Sequence, residues 1–380
     1  MNYYAVDLGN PMEHASSYSV ALINDSPNYV GITEYSLGLY EMLLQNGINA
    51  RYYQFMPPNQ EGRFPSVGTA VKGAGFPLRK YSLEFNQIAG INARRTAGIT
   101  ADIVHLSNPI LIPVNHDDRN LICTVHDLYH LSVEDTGLVP RYFNRRWYSR
   151  IRSVKHVLAA SEYTKAEITR LMGYPENRIS VVHNSIDTDF FTPGSSGYRT
   201  SLGLRVEDKV LLNVGRDQPN KNLDLLYRSL SRLGAGYKLI RVGNNSKRSL
   251  ELVKQLGLQN RIVFTQNVTK EVLRDIYRTA DIYVHTSTFE GFGRPIGEAM
   301  ASGIPVISSD RASMPEIVGD AGILLHDLTV DELASRIQDL STSGEKQDLT
   351  VRGLKRITKF SKRTVLDTLL RVYDQLQKGL

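Results

Sequence analysis

The feature that most constrains this chain is an alternation. Short β-branched runs of strand length alternate with longer amphipathic segments, and the whole pattern is then repeated. In the first half, strands are expected at Tyr3–Gly9, Ile48–Phe55, Asp102–Ser107, Leu121–Asp127, His156–Ser161 and Ile179–Asn184. Between the first two, Leu37, Tyr40, Leu43 and Leu44 recur at helical spacing, with Gly47 as a stop. A second helix ends at Gly173. In the second half, strands are expected at Lys209–Gly215, Tyr237–Gly243, Arg261–Val268, Asp281–Ser287 and Ile304–Asp310. Helices are expected at Asn222–Gly234, Ser249–Gly257, Lys270–Ala280, Pro295–Gly303 and Asp331–Ser343. Strand–helix alternation of this kind predicts layered α/β domains with mainly parallel sheets. The Ser, Gly, Asp and Thr-rich stretch Asn184–Gly203 reads as the linker between two such domains, 1–190 and 191–363. In open α/β sheets, ligands bind at strand-end loops and helix N-termini, so residues just after strands carry the search for function.

Composition sets outer limits. A chain of 380 residues, 41% hydrophobic and 22% charged, is ordinary for a globular protein with two cores. A single cysteine, Cys123, excludes an intramolecular disulfide framework, so a reducing, cytoplasmic setting is expected. No apolar run reaches the ~18 residues of a membrane span, and Met1–Asn10 lacks the pattern of a signal peptide. The net charge is +6, and the excess of base lies in the second half. Two runs, Arg141–Lys155 and Arg352–Arg363, hold basic residues and no acidic ones. They read as solvated helix faces or as an attraction to an anionic ligand or the inner face of a membrane. Without a recognisable binding motif, nucleic acid is not an expected partner.

Four strand-end stretches can carry chemistry. In NVGRDQPNKNL, Gly215 turns the chain after a strand, and Arg216 and Lys221 follow in a loop that opens a helix. A guanidinium and an ammonium so placed suit a diphosphate, or are solvated charges on a surface turn. In EGFGRPIGEAMASG, Glu290 and Glu298 flank a glycine-rich turn with seven residues between them. Pro295 suits the first helical position and Gly303 the stop, which puts Glu290 in a loop and Glu298 inside a helix. Gly291 and Gly293 allow close backbone approach, and the N–H groups around Phe292, Gly293 and Arg294 form an anion-attracting helix start. Carboxylates there can accept hydrogen bonds from the hydroxyls of a sugar or ribose, or Glu298 is simply part of a capped helix. In CTVHDLYHL, His126 follows a strand; it is a site residue or a satisfied structural histidine, while His130 lacks a third partner for a metal site. Gly31 lies between the first strand and first helix. No dinucleotide fingerprint, phosphate-binding P-loop or serine nucleophile elbow occurs.

Taken in order from Gly31 to Leu325, these stretches, with SEYTKAEI, VVHNSIDTDFFTP and MPEIVGDAGILL, resemble the family-four retaining glycosyltransferases of the GT-B fold. The resemblance implies two Rossmann-like α/β domains facing a central cleft, with a final helix, 364–380, returning to the first domain; Val365, Leu369, Val372 and Leu376 give that helix an apolar face. It implies an enzyme that moves a hexose from a GDP- or UDP-sugar to a saccharide or lipid-linked saccharide, without cofactor or metal. It implies that Arg216 and Lys221 hold the diphosphate beside Gly215, and that Glu290 and the backbone of Gly291, Phe292 and Gly293, next to Arg294, hold the donor sugar. Glu298 then takes the ribose, Val268 lies where the base contacts backbone, His126 reaches the transferred sugar, and Gly31 lies near the phosphates. Where the family often has two glycines, this loop reads Val30-Gly31. Mannose from GDP-mannose is the expected transfer and UDP-glucose the next. Glycoside hydrolysis by the two glutamates, a sugar-nucleotide epimerase, and a non-catalytic sugar-nucleotide-binding protein are the readings from other classes.

Overall fold

The computed structural model describes residues 18–24, 30–56, 69–72, 99–112, 120–133 and 138–379. The chain divides into two compact units: Met1–His183 with Val365–Leu380, and Asn184–Thr364. The divide falls seven residues ahead of the expected boundary at 190/191.

In the first unit the strands are β1 (Ser19–Asn24), β2 (Asn49–Met56), β3 (Thr69–Lys72), β4 (Ile103–Leu106), β5 (Leu121–Val125), β6 (His156–Ala159) and β7 (Ile179–Val181). They form one sheet in the order β3-β2-β1-β4-β5-β6-β7, parallel throughout. The expected strand Tyr3–Gly9 lies outside the described residues. The run SVALIN lies inside the sheet, its Leu22 paired with Tyr52 on one side and His105 on the other. Strands covered on both faces need continuous apolar runs, and Ile103–Leu106 and Leu121–Val125 are buried at every position. His105 and Thr124 are the exceptions in kind, fully buried polar side chains within these strands.

The second unit repeats the plan with β8 (Lys209–Val214), β9 (Tyr237–Val242), β10 (Ile262–Thr265), β11 (Ile282–His285), β12 (Val306–Ser309) and β13 (Ile323–Leu325). Their order is β10-β9-β8-β11-β12-β13, again all parallel. In both sheets the order reverses beside the first strand, between β1 and β4 and between β8 and β11. That is where open parallel sheets present their binding crevice.

Two sequence expectations need correction. The stretch read as a linker, Asn184–Gly203, is largely folded into the second unit: Ile186 and Phe191 are core residues, and the Ile186 N–H donates to the Phe360 carbonyl at 2.8 Å. Its composition resembles a linker, but two apolar anchors are enough to pin it. The basic run Arg352–Arg363 divides: Lys355, Lys359 and Arg363 are exposed, as on a solvated face, while Arg352, Arg356 and Lys362 are engaged within the chain. Arg356 donates to the carbonyls of Glu316 and Ile317, both at 2.7 Å, and Lys362 pairs with Asp187 at 2.8 Å. The helix Lys362–Gln377 buries Val365, Leu366, Leu369, Val372, Tyr373 and Leu376 in the core of the first unit, with Tyr18, Leu22 and Tyr35.

Candidate functional site

In the second unit, the loop after β8 turns at Gly215, whose φ of 149° lies in the region that favours glycine. Its N–H donates to the Val242 carbonyl at 3.0 Å. The neighbouring loop passes so close that a Cβ on Gly243 would stand 1.9 Å from the Gly215 carbonyl oxygen. Two strand ends are therefore locked together by bare backbone. Arg216 follows, exposed to solvent. The tight helical turn Pro219–Lys221 then brings the Lys221 ammonium back toward the sheet.

There it meets Glu290. The Lys221 Nζ stands 2.5 Å from the Glu290 Oε1, and both side chains are mostly buried. Backbone ties fix the approach. The Asn220 side chain donates to the Phe289 carbonyl at 2.9 Å, the Thr288 N–H to the Asn220 carbonyl at 2.7 Å, and the Thr286 hydroxyl to the Lys221 carbonyl at 2.8 Å. Ser313 donates to the Glu290 carbonyl at 2.9 Å. Burial works to raise the Glu290 carboxyl pKa, but the Lys221 ammonium and the hydrogen bond from His285 outweigh it. They hold the group well below the usual carboxylate range.

His285 went unremarked in the sequence, yet its Nε2 lies 3.2 Å from the same Glu290 oxygen. Its Nδ1 lies 3.1 Å from the Tyr283 hydroxyl. The side-chain period of a strand puts Tyr283 and His285 on one face. That pattern, five residues before the glutamate, was the available signal. Glu298 is also buried and also held at both ends: the Tyr277 hydroxyl donates to Oε2 at 2.9 Å, and Arg294 lies 3.4 Å from Oε1. Helix Arg294–Ala301 begins one residue before Pro295, with Gly293 at φ 93° as its cap. Phe292 packs its ring in the core against Phe360. Gly291 is half-buried beside it, and Val268 is half-buried in the loop after β10.

A further missed residue is Arg241, at the end of β9. It is 0% exposed. Its Nη1 donates to the Val242 carbonyl, while Nε and Nη2 make no hydrogen bond among the described residues. Burial lowers its pKa, and the charge of Asp217 offsets part of that cost.

The first unit holds the other two expected residues. His126 follows β5, with Nε2 3.1 Å from the Ser107 carbonyl and its ring edge-on to Tyr35 at 4.7 Å. Burial lowers its pKa to about 4, so the ring is neutral near pH 7. Tyr35 belongs to a buried polar chain. Its hydroxyl meets Thr124 at 3.0 Å, Thr124 meets His105 at 2.7 Å, and His105 meets the Tyr373 hydroxyl at 2.7 Å. Beside it, Asn24 donates to Gln54 at 2.9 Å and accepts from Ser107 at 2.8 Å. Gly31 is not in a loop before the helix, as expected, but in the first turn of helix Val30–Gln45. A Cβ there would meet no atom of the described residues within 4 Å.

The structure thus gathers Lys221 and Glu290 into direct contact, with Glu298 on the helix that follows. In the first unit, His126 follows strand β5 and Gly31 lies in the first turn of helix Val30–Gln45.

Comparison with known proteins adds the following. The profile of the family described as "Glycosyl transferases group 1" matches residues 196–352, and that described as "Glycosyltransferase Family 4" matches residues 30–190. The O-antigen chain mannosyltransferase B of Escherichia coli is 30% identical over 232 residues, covering 58% of this chain and 61% of that protein. The D-inositol 3-phosphate glycosyltransferase of Mycobacteroides abscessus is 36% identical over 173 residues, covering 43% and 39%. The chain thus spans under two thirds of the length of these curated relatives. Among solved structures, Anabaena HepE in complex with UDP and glucose superposes with a TM-score of 0.75 at 19% identity, covering 94% of this chain and 100% of that one. Sucrose-phosphate synthase from Thermosynechococcus elongatus gives 0.78 at 20%, covering 95% and 100%. Both are likenesses of fold, the two-domain α/β architecture called GT-B.

Proposed function

We propose that this chain, which belongs to the family-four glycosyltransferases, moves a hexose from a sugar nucleotide to a saccharide or lipid-linked saccharide with retention of anomeric configuration. The observation that carries this reading is the buried Lys221–Glu290 pair, 2.5 Å apart beside the Gly215 turn. An ammonium and a hydroxyl-accepting carboxylate side by side are what a sugar diphosphate requires at the bond that breaks.

On this reading Lys221 and Arg216 receive the diphosphate, and their charge stabilises it as it departs, the role a divalent cation plays in other transferases. No metal is called for. Glu290 accepts from sugar hydroxyls, helped by the N–H groups of Gly291 to Gly293, and Glu298 accepts from the ribose. The acceptor hydroxyl attacks the anomeric carbon on the face from which the diphosphate leaves. The new C–O bond forms as the old one breaks, and the hydroxyl proton passes to a diphosphate oxygen. His126, neutral at working pH, hydrogen-bonds the transferred sugar without exchanging a proton.

GDP-mannose is the preferred donor, supported by the mannosyltransferase relative. UDP-glucose is the second reading, supported by the fold-mate whose structure holds UDP and glucose. Contact with the inner membrane face is part of the proposal for a lipid-linked acceptor, and exposed Arg145 and Arg146 are its support. No helix among the described residues is long and apolar enough to cross a membrane. Thermal-shift measurement against GDP, UDP and their sugars tests the donor: selective stabilisation by guanine nucleotides is expected. Product analysis then separates the classes. A new glycosidic bond of retained configuration supports the proposal; free sugar or an epimerised donor overturns it.

A further inference from the structure

Glu298 is a carboxylate inside a packed core, with 8% of its side chain exposed. Burying such a group is costly unless donors meet it. The Tyr277 hydroxyl donates to Oε2 at 2.9 Å, and the Arg294 Nη2 stands 3.4 Å from Oε1. The two differ in how firmly they hold. Arg294 lies on the same helix one turn earlier, and its long side chain is 24% exposed. Tyr277 comes from another helix, Lys270–Thr279, and is 0% exposed. Its ring is fixed by packing, edge-on to Phe191 at 5.6 Å and tilted against Tyr283 at 6.1 Å. The hydroxyl also lies 3.4 Å from the Pro295 carbonyl, in the first turn of the helix that carries Glu298. A rigid ring thus sets one hydroxyl against both the carboxylate and the backbone of that turn. A phenylalanine ring would fill the same space, so the hydroxyl is what the carboxylate uses.

We propose that Tyr277 is a positioning residue for Glu298, fixing the rotation of its carboxylate so that the group can accept from the paired hydroxyls of the donor's ribose. This rests on the reading of Glu298 as the ribose acceptor. The last torsion of a glutamate is broad when nothing fixes it. A carboxylate offers about four lone-pair directions. The Tyr277 hydrogen bond takes up one of them and holds the plane of the group. Held in one plane, the carboxylate can accept from two neighbouring hydroxyls at once. Turning about its last bond, it meets them one at a time. Preference for ribose over deoxyribose therefore depends on a side chain too deeply buried to touch the nucleotide itself.

The test is the affinity of the full chain for GDP and UDP and for their 2′-deoxy counterparts, in the natural protein and in Tyr277→Phe. The natural protein is expected to prefer the ribonucleotide by about 10–100-fold, the worth of a hydrogen bond to a charged group. In Tyr277→Phe the preference is expected to fall to about threefold or less, through weaker binding of the ribonucleotide and unchanged binding of the deoxynucleotide. A merely structural role would weaken both alike. In a Glu298→Ala background the same change is expected to have no further effect on the preference, because the group that Tyr277 orients is gone. Tyr277→Leu, checked for folding by circular dichroism, should lose the preference as Tyr277→Phe does. A preference kept in full by Tyr277→Phe, an equal loss for both nucleotides, or unfolding of both Tyr277 variants overturns the inference and leaves the ribose reading of Glu298 standing. Equal binding of the two nucleotides by the natural protein, or no binding of either, overturns that reading and this inference with it.

Discussion

The two units share a strand order and differ in what they bury at the strand ends. The second unit buries charge: Lys221 against Glu290, Arg294 against Glu298, and the poorly partnered Arg241. The first buries neutral polarity: His105, Thr124, Tyr35 and Tyr373 in one chain, and Asn24, Gln54 and Ser107 beside it. The same scaffold is thus prepared for different ligand chemistry. On the proposed function, the fixed charges would answer a diphosphate and the neutral donors and acceptors hydroxyls. The difference also separates how the units respond to mutation and to acid.

The sharpest test removes one charge from the second unit. Lys221→Ala leaves Glu290 buried without its ammonium and is expected to cost about 3 kcal/mol of stability and about 10²–10³ in turnover. Near-normal turnover measured on a sugar nucleotide would break the assignment. Lys221→Met with Glu290→Gln should recover much of the stability and none of the turnover, because the stranded charge is gone.

Acid should then strike the first unit before the second. His126 and His156 are held down to about 4 and His105 to about 3, each chiefly by burial. A depressed histidine contributes stability that is intact above its unfolded value of about 6.5 and is lost as pH falls toward the folded value. By pH 5, His105 and His126 are each expected to have lost about 2 kcal/mol. The lowered Glu290 acts later: its contribution is complete above about 4.3 and is lost only below. Hydrogen exchange resolved by unit at pH 7 and pH 5 checks this; equal losses in the two units would end the contrast.

Smaller changes sharpen it further. Tyr373→Phe removes the hydroxyl that ends the neutral chain at His105. It should cost about 1–2 kcal/mol in denaturant unfolding and leave nucleotide affinity unchanged. Smallest is Ala312→Gly. Ala312 holds φ at 49° next to Ser313, which supports the Glu290 loop. Relief of that left-handed backbone is expected to gain up to about 1 kcal/mol in the second unit alone.

Much of this was legible in the sequence, for physical reasons. Parallel strands buried on both faces announce themselves as apolar runs, so β4, β5, β6 and β8 stand where the composition put them. Glu290 and Lys221 follow strands and carry charge, which made them conspicuous. What escaped was polarity hidden inside apolar runs. His105, His285 and Arg241 each occupy a strand, and the packed neighbours show what surrounds each of them. Ser19–Asn24 was missed because Tyr3–Gly9 has equal strand character and came first. Asn184–Gly203 was misread because composition does not weigh two well-placed anchors, Ile186 and Phe191, against many polar neighbours.

The meeting of Gly215 and Gly243 sets a limit on how this site can be altered. A side chain on Gly243 would run into the Gly215 carbonyl, and Gly215 itself holds a φ of 149° that strains any L side chain, so neither position can be varied to change which donor is accepted. A library aimed at new sugar or nucleotide preference should hold both glycines constant and draw its diversity from side chains that project beyond them, such as Arg216, Val268 and Arg294. The two glycines act as the fixed jig of the site, and its selectivity is the part that can be exchanged.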